Sequence, residues 1–596
     1  MSHAPRMMKH LLFAILVSCA LVPFTEGAEK PNIVMILTDD QGWGDLSING
    51  NRNLSTPRID RLANEGVRFE QFYVCPVCSP TRAEMLTGRY HVRGGVFSTS
   101  AGGERLDLDE RTIGQVFQDA GYATGAFGKW HNGMQHPYHP NARGFAEFYG
   151  FCSGHWGNYF DAMLEHNGEI VTGNGFIIDD LTDKAMQFID NQTAAGKPFF
   201  AYLPYNTPHS PMQVPDKYWA KFAEAELPQR GTNAAKEDLA HTRAALAMCE
   251  NIDWNVGRVL DKLDALGVAE NTIVVYFSDN GPNGDRWNGG MKGRKGSTDE
   301  GGVRSPLFVR WPNRIAANSS VKQIAGAIDL LPTLASLAGV ATTGTKPLDG
   351  VDLAPLLLQQ KIKAWPQRMI FSHWNKKVSV RTQRFRLDAG GELYDMDDDP
   401  GQLQPVSTAN ATETTLLRKA VAAWKRDVLS ELKPDEHRPF PVGGGETTQL
   451  PARDAVAHGN LKRSNKFPNC SYFTDWVSTE DSLSFDVEVL AAGDYTVDLY
   501  YTCAEKNLGC KVELSSGASA TSATVTTAND PPVRGAEHDR VQRQESYVRT
   551  FKPMSLGAIR LSTGKQMMHL KAPEIPGEAA IEFRMLMLRR TPTSQP

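Results

Sequence analysis

The stretch Cys78 to Tyr90 (CSPTRAEMLTGRY) sets a potential nucleophile at the start of an amphipathic segment. Pro80 suits a first helical turn, and Ala83 to Leu86 are good helix formers. Cys78 would then sit at the positive end of a helix, with Arg82 one turn further in, a combination suited to an anionic substrate. On its own, a buried structural cysteine accounts for the same residues. A second group is Asp39, Asp40, Asp279 and Asn280, four hard oxygen donors that each follow an apolar run. Bunched carboxylates repel one another unless a cation lies between them, and oxygen-only donors select calcium or magnesium over zinc. Two further apolar runs lead to Lys129 with His131 and to a loop carrying His209. Singly, such residues are caps, solvated side chains or structural hydrogen bonders. Their convergence on strand ends is what a random set would not produce.

These residues need a scaffold that brings distant strand ends together. Pro31 to Asp40 (PNIVMILTDD) is a continuous apolar run, read as a buried strand of a parallel sheet. Strands are also expected over 67–74, 121–129, 198–205 and 272–278, and helices over 56–66, 111–120, 179–192 and 236–266. This alternation predicts an α/β fold with a large, mostly parallel central sheet flanked by helices, whose ligands gather at the carboxyl ends of the strands. One more helix is expected near 324–339, then short antiparallel strands over about 364–393 and a helix over 414–432. The Pro/Gly-rich segment 437–451 reads as a linker. Beyond it LSFDVEVL, DYTVDLYYTC and IEFRMLMLR alternate as in a β-sandwich. The expected organisation is a leader (1–28), an α/β domain (29–362), a small α+β subdomain with an antiparallel sheet (363–438) and an additional C-terminal β-sandwich (446–596), loosely like carbohydrate-binding modules.

At 596 residues the chain is too long for one ordinary core, and its net charge of −5 carries no basic footprint for nucleic acid. Arg6 and Lys9 precede an apolar run from Leu11 to Phe24, a secretory signal too short to be a comfortable membrane span. Cleavage is expected near Gly27 or Ala28, giving an exported protein, periplasmic or secreted. The alternative of lipidation at Cys19 ranks lower because the apolar run continues past it. No later stretch could span a bilayer. Export permits disulfides, and Cys503 with Cys510 could close a small loop, although sequence does not fix pairing. Cys75 and Cys78 form a CxxC without the second pair that a zinc site needs.

The Cys-x-Pro-x-Arg pattern, followed by Leu86-Thr87-Gly88-Arg89, resembles the signature of the formylglycine-dependent sulfatases of the alkaline phosphatase superfamily. Thr81 stands where that family more often has serine. The resemblance implies that a formylglycine-generating maturation enzyme converts Cys78 to the nucleophile. Asp39 and Asp40 match the family's strand-end DD, and Asp279-Asn280-Gly281 its DNG. With residue 78 they would hold one divalent ion, calcium ahead of magnesium. Gly128-Lys129-Trp130-His131 matches a GKWH element, Pro208-His209 a PH loop, and KGSTDEGGVR places an active-site lysine at Lys295. Asn132 and Asp299 depart from the commoner leucine and tyrosine. In the implied chemistry the metal, Arg82, Lys129 and Lys295 neutralise sulfate oxygens, and one hydroxyl of the hydrated aldehyde attacks sulfur. His209, with Lys295, protonates the leaving alcohol, and His131 deprotonates the second hydroxyl to release sulfate.

For the substrate, His155, Trp156, Asn158 and Tyr159 offer stacking and hydrogen bonding to a sugar ring. His136, His139 and Arg143 are candidates for the pocket rim, with Asn469, Tyr472 and Trp476 as contacts from the sandwich. The reading is an enzyme hydrolysing sulfate esters of a small molecule or glycan, with sulfated carbohydrate favoured. Its rivals are a phosphonate monoester or phosphodiester hydrolase of the same superfamily and a non-catalytic carbohydrate-binding protein.

Overall fold

Four of the apolar runs pair in parallel as β1 (Asn32–Thr38), β2 (Ala123–Lys129), β3 (Phe199–Pro204) and β4 (Thr272–Ser278), and every residue in them is buried. The computed structural model describes residues 30–342, 344, 346–361, 364–433 and 438–591. The expected leader, with Cys19, lies outside these residues. The strand order β4-β1-β3-β2 continues into Glu147–Phe151, still parallel, and mixed strands beyond β4 and an antiparallel pair beyond Glu147–Phe151 bring the sheet to ten. Burial on both faces explains why these runs are continuously apolar rather than alternating. Val34 and Ile36 face helices Ile177–Ala194 and Leu239–Ala265, whereas Ile33, Met35 and Leu37 pack toward the helices Cys78–Thr87 and Leu330–Leu337. Because the four strands are parallel, their carboxyl ends share one edge.

The helix that begins at Cys78, α1 (Cys78–Thr87), is buried at every position rather than amphipathic. The run 67–74 is two strands: Val67–Phe69 lies in the main sheet, and Phe72–Tyr73 joins a separate three-stranded one. A four-stranded antiparallel sheet from Ile370 to Asp395 and the helix Ala411–Val428 follow.

Two six-stranded sheets then form the C-terminal sandwich around one apolar core. The segment read as a linker is part of it. Phe440–Val442 pairs with Ser482–Val489, and Thr447–Pro451 pairs with Glu582–Arg590. Its prolines are tolerated because these strands lie at sheet edges. Among the described residues all seven cysteines are free and buried, so Cys503 and Cys510 are not joined. No helix among them is long and apolar enough to cross a membrane.

Candidate active site

Cys78 is the first residue of α1, preceded by Val77 in extended conformation. Two side chains one turn on clamp this helix to the sheet edge. Thr81 Oγ1 accepts the Cys75 N–H at 2.9 Å and lies 2.6 Å from the Asp279 carbonyl oxygen, to which it donates. Arg82 donates to the Lys129 carbonyl at 2.6 Å and to Asp279 Oδ2 at 2.8 Å. The spacing in the motif therefore ties residue 78 to the ends of β2 and β4.

The carboxylates lie directly beneath. Lys129 Nζ is 2.6 Å from Asp39 Oδ2, and Lys295 Nζ is 2.6 Å from Asp40 Oδ1. Asn280 Nδ2 donates to Asp40 Oδ1 at 2.8 Å, and the Asp40 N–H donates to Asp279 Oδ1 at 3.2 Å. Asp40 has φ +66°, a left-handed turn that aims its carboxylate back into the cluster. His209 Nε2 lies 3.8 Å from Asp40 Oδ2. Burial opposes ionisation of Asp39 and Asp40, but Lys129 beside the first and Lys295 beside the second hold both below the usual carboxylate range. Burial and the charge of Asp39 push Asp279 up, against the pull of Arg82. Burial would lower Lys295, yet Asp40 overrides it and keeps the ammonium charged.

Asp39 Oδ1 and Asn280 Oδ1 are buried without a hydrogen-bond partner. Donor atoms of Asp39, Cys78 and Asp279 lie within 4.8 Å of one another. Unpaired buried oxygens are costly, and an oxygen-rich donor set suits a hard divalent cation. The residues present fit such an ion.

His131 also adopts a left-handed φ, +65°, and its Nε2 is 2.9 Å from the Thr99 carbonyl. Burial, and after it Lys129, depresses its pKa well below 6.5, so the ring is neutral. Close approach demands glycine beside it: a Cβ at Gly154 would lie 2.6 Å from His131 Nε2 and 2.5 Å from Asn469 Nδ2. A cavity of about 720 Å³ opens over Cys78, lined by His131, His155, His209 and Lys295 among others.

The remaining candidates divide. His155 lines the cavity, its ring stacked on His209 with centroids 6.1 Å apart. Trp156 instead stacks on Phe151 at 5.0 Å, and Asn158 is bonded to the Phe160 carbonyl. Tyr159 is fully buried, with its hydroxyl 3.0 Å from the carbonyls of both His209 and Ser210. None of the three lines the cavity, and Tyr159 holds the His209 loop through these carbonyls. His139 pairs with Glu165 at 2.5 Å, His136 stacks on His139, and Arg143 holds backbone carbonyls of Asp107 and Glu110. Trp476 is in the sandwich core and Tyr472 packs on Phe551, whereas Asn469 reaches the cavity. Sequence reasoning missed the cavity residues Phe467 and 541–545, which belong to the sandwich, and His241 and Arg294 from the α/β part. A signal for 541–545 exists in the long polar connection 525–551, since structureless loops beyond about 12–15 residues are usually functional or disordered.

A sequence model of the family described as Sulfatase matches residues 31–340, and one described as N-sulphoglucosamine sulphohydrolase, C-terminal, matches 295–425. The chain is 33% identical to N-acetylgalactosamine-6-sulfatase of Mus musculus over 387 residues, 59% of this chain and 71% of the relative. It is 28% identical to arylsulfatase G of Rattus norvegicus over 513 residues, 72% of this chain and 93% of the relative. Among solved structures it is similar to Ps i-CgsB in complex with k-i-k-neocarrahexaose, with a TM-score of 0.61, 30% identity, and coverage of 68% of this chain and 96% of that one. The chain belongs to the sulfatase family of sulfuric ester hydrolases.

Proposed function

We propose that residue 78, matured to formylglycine, is the nucleophile of an exported, calcium-dependent sulfatase acting on sulfated carbohydrate. One observation supports this most: Cys78 and Lys295 line the cavity, and behind them Arg82, Lys129 and four hard-oxygen donors form one buried cluster joined by ion pairs and hydrogen bonds. In this reading Cys78 Sγ occupies the place of the aldehyde-derived hydroxyls, which supply one oxygen to take the sulfuryl group and a second to release it. Asp39, Asp40, Asp279 and Asn280 would hold the divalent ion, which supplies Lewis-acid neutralisation of the sulfate oxygens.

The chain's own residues do the rest. Lys129 and Lys295 present ammonium groups beside Asp39 and Asp40, within reach of an anion above residue 78, and Arg82 fixes the helix that presents it. His209 stands at the cavity wall, able to donate a proton to the leaving alcohol. Neutral His131, with Nδ1 unpaired, is able to accept one. The sugar reading draws on the names of the relatives, and it also draws on a polar cavity rimmed by Phe467 and Trp374. We assign the α/β domain to 29–362, the small subdomain to 363–438 and the sandwich to the residues after it, from Phe440 onward.

The test is mass analysis of the peptide carrying residue 78, followed by turnover of an aryl sulfate and the matched aryl phosphodiester. Aldehyde or its hydrate at 78 with sulfate preferred is the expected result. A clear phosphodiester preference overturns the reading.

A further inference from the structure

The cavity over residue 78 is not built by the α/β domain alone. Phe467, Pro468, Asn469 and residues 541–545 line it from the sandwich side. This wall is fixed in place. Ser153 Oγ donates to the Asn469 carbonyl at 3.2 Å, and Arg543 is bonded to the Gly157 carbonyl. Glu545 accepts from Ser210, the residue after His209. The two wall segments also hold each other, through Asn465 Nδ2 to the Gln544 carbonyl at 2.6 Å and Ser464 to Ser546 at 2.7 Å.

The groups presented suit one chemical class. Phe467 is 36% exposed at the rim, an apolar ring held at the mouth of a polar cavity. Gln542 and Gln544 are exposed amides beside it. Deeper in, Asn469 Nδ2 lies 3.4 Å from His155 Nδ1, and His155 Nε2 is buried without a partner. A pyranose has an apolar C–H face and a rim of hydroxyls, and it matches an aromatic ring flanked by amides and an unsatisfied imidazole nitrogen. About 720 Å³ exceeds what an aryl sulfate fills and lies within the range of about 300–1,000 Å³ usual for ligand pockets.

We propose that the C-terminal sandwich is the saccharide-selecting wall of the active site, with Phe467 stacking on the sugar ring and the Asn469–His155 pair reading a hydroxyl. The inference rests on the sulfatase reading of residue 78 for its chemistry, but the wall can be tested apart from it. The full-length matured protein and its Phe467→Ala, Phe467→Trp and Gln544→Ala variants are assayed with 4-nitrophenyl sulfate, N-acetylgalactosamine 6-sulfate and k-i-k-neocarrahexaose. Calorimetry of saccharide binding runs in parallel. For the Phe467→Ala variant the ratio of saccharide to aryl-sulfate kcat/KM falls by about threefold to tenfold, carried by KM, and Phe467→Trp restores it. Equal losses on both substrate types, or no loss, overturn the proposal. So does a wild type that turns over the aryl sulfate yet neither binds nor hydrolyses either saccharide. If no sulfate ester is turned over but saccharide binds with an affinity that depends on Phe467, the wall stands and the sulfatase reading of this site fails.

Discussion

At the scale of single residues, the site depends on side chains whose charge is set by a near neighbour. Lys295 keeps its charge against burial because Asp40 lies 2.6 Å away, and its side chain lines the cavity over residue 78. Replacing Lys295 by alanine should lower kcat for an aryl sulfate by about 10²–10³, the usual cost of losing one preorganised electrostatic donor. Steady-state kinetics at saturating substrate measures it, and a change confined to KM contradicts a transition-state role. The oxygens left unpaired on Asp39 and Asn280 call for a cation. Added calcium should raise the Tm of the chelator-treated protein and restore turnover, and should shift the Asp39→Asn variant far less. Gly154 makes a third test. An alanine there would place its Cβ against both His131 and Asn469, so activity should fall at least about tenfold, read as kcat/KM on the saccharide and the aryl sulfate together.

At the scale of elements, α1 is buried on all sides, and this has an electrostatic consequence. Glu84 lies inside it, accepting the His91 N–H at 3.3 Å, and burial pushes its carboxyl up from 4.5 to about 8. Between those two values the folded chain holds a proton that the unfolded chain has lost. Stability from this group is therefore fully present below about pH 4.5, declines as pH rises toward about 8, and is level above that. The Glu84→Gln variant keeps the shape without the titration. Urea midpoints across that range should show a shallower decline for Glu84→Gln than for wild type, and parallel curves would contradict the assignment.

At the scale of the whole molecule, the sandwich is docked rather than tethered. Arg453 from the sandwich meets Glu104 of the α/β domain at 3.0 Å, with side chains 1% and 0% exposed. Gln135 donates to the Gln449 carbonyl at 2.9 Å and to Asp454 at 3.0 Å across the same boundary. Removing one partner of a buried ion pair strands the other, at a cost of about 3–5 kcal/mol. The Arg453→Met variant should accordingly unfold in two calorimetric steps where wild type unfolds in one. A single unshifted transition in the variant would show that the docking contributes nothing. Truncation near residue 440 would remove part of the cavity wall along with the sandwich, so the shortened chain would not report on catalysis alone.

Local sequence was enough to determine the central strands and the residues at their ends, though not that 67–74 splits between two sheets or that 440–451 carries strands. Buried parallel strands are continuously apolar, so Asn32–Thr38 and Thr272–Ser278 were legible, and so were the polar residues that follow them. The motif at Cys78 made the start of α1 legible because helix start, proline and arginine act over one turn of chain. Tertiary structure alone decided what lies across the cavity. Trp156, Asn158 and Tyr159 have the composition of a sugar site, yet none lines the cavity: Trp156 packs on Phe151, Asn158 bonds the Phe160 carbonyl and Tyr159 the 209–210 carbonyls. Phe467 and Glu545 sit more than 300 residues from His155 and carry no local pattern that relates them to it. Their meeting is set by how two separately folded cores pack, which depends on surface shape and on buried partners such as Arg453 and Glu104. Periodicity along the chain reports which face of an element is apolar, and it holds no information about which distant surface will cover it.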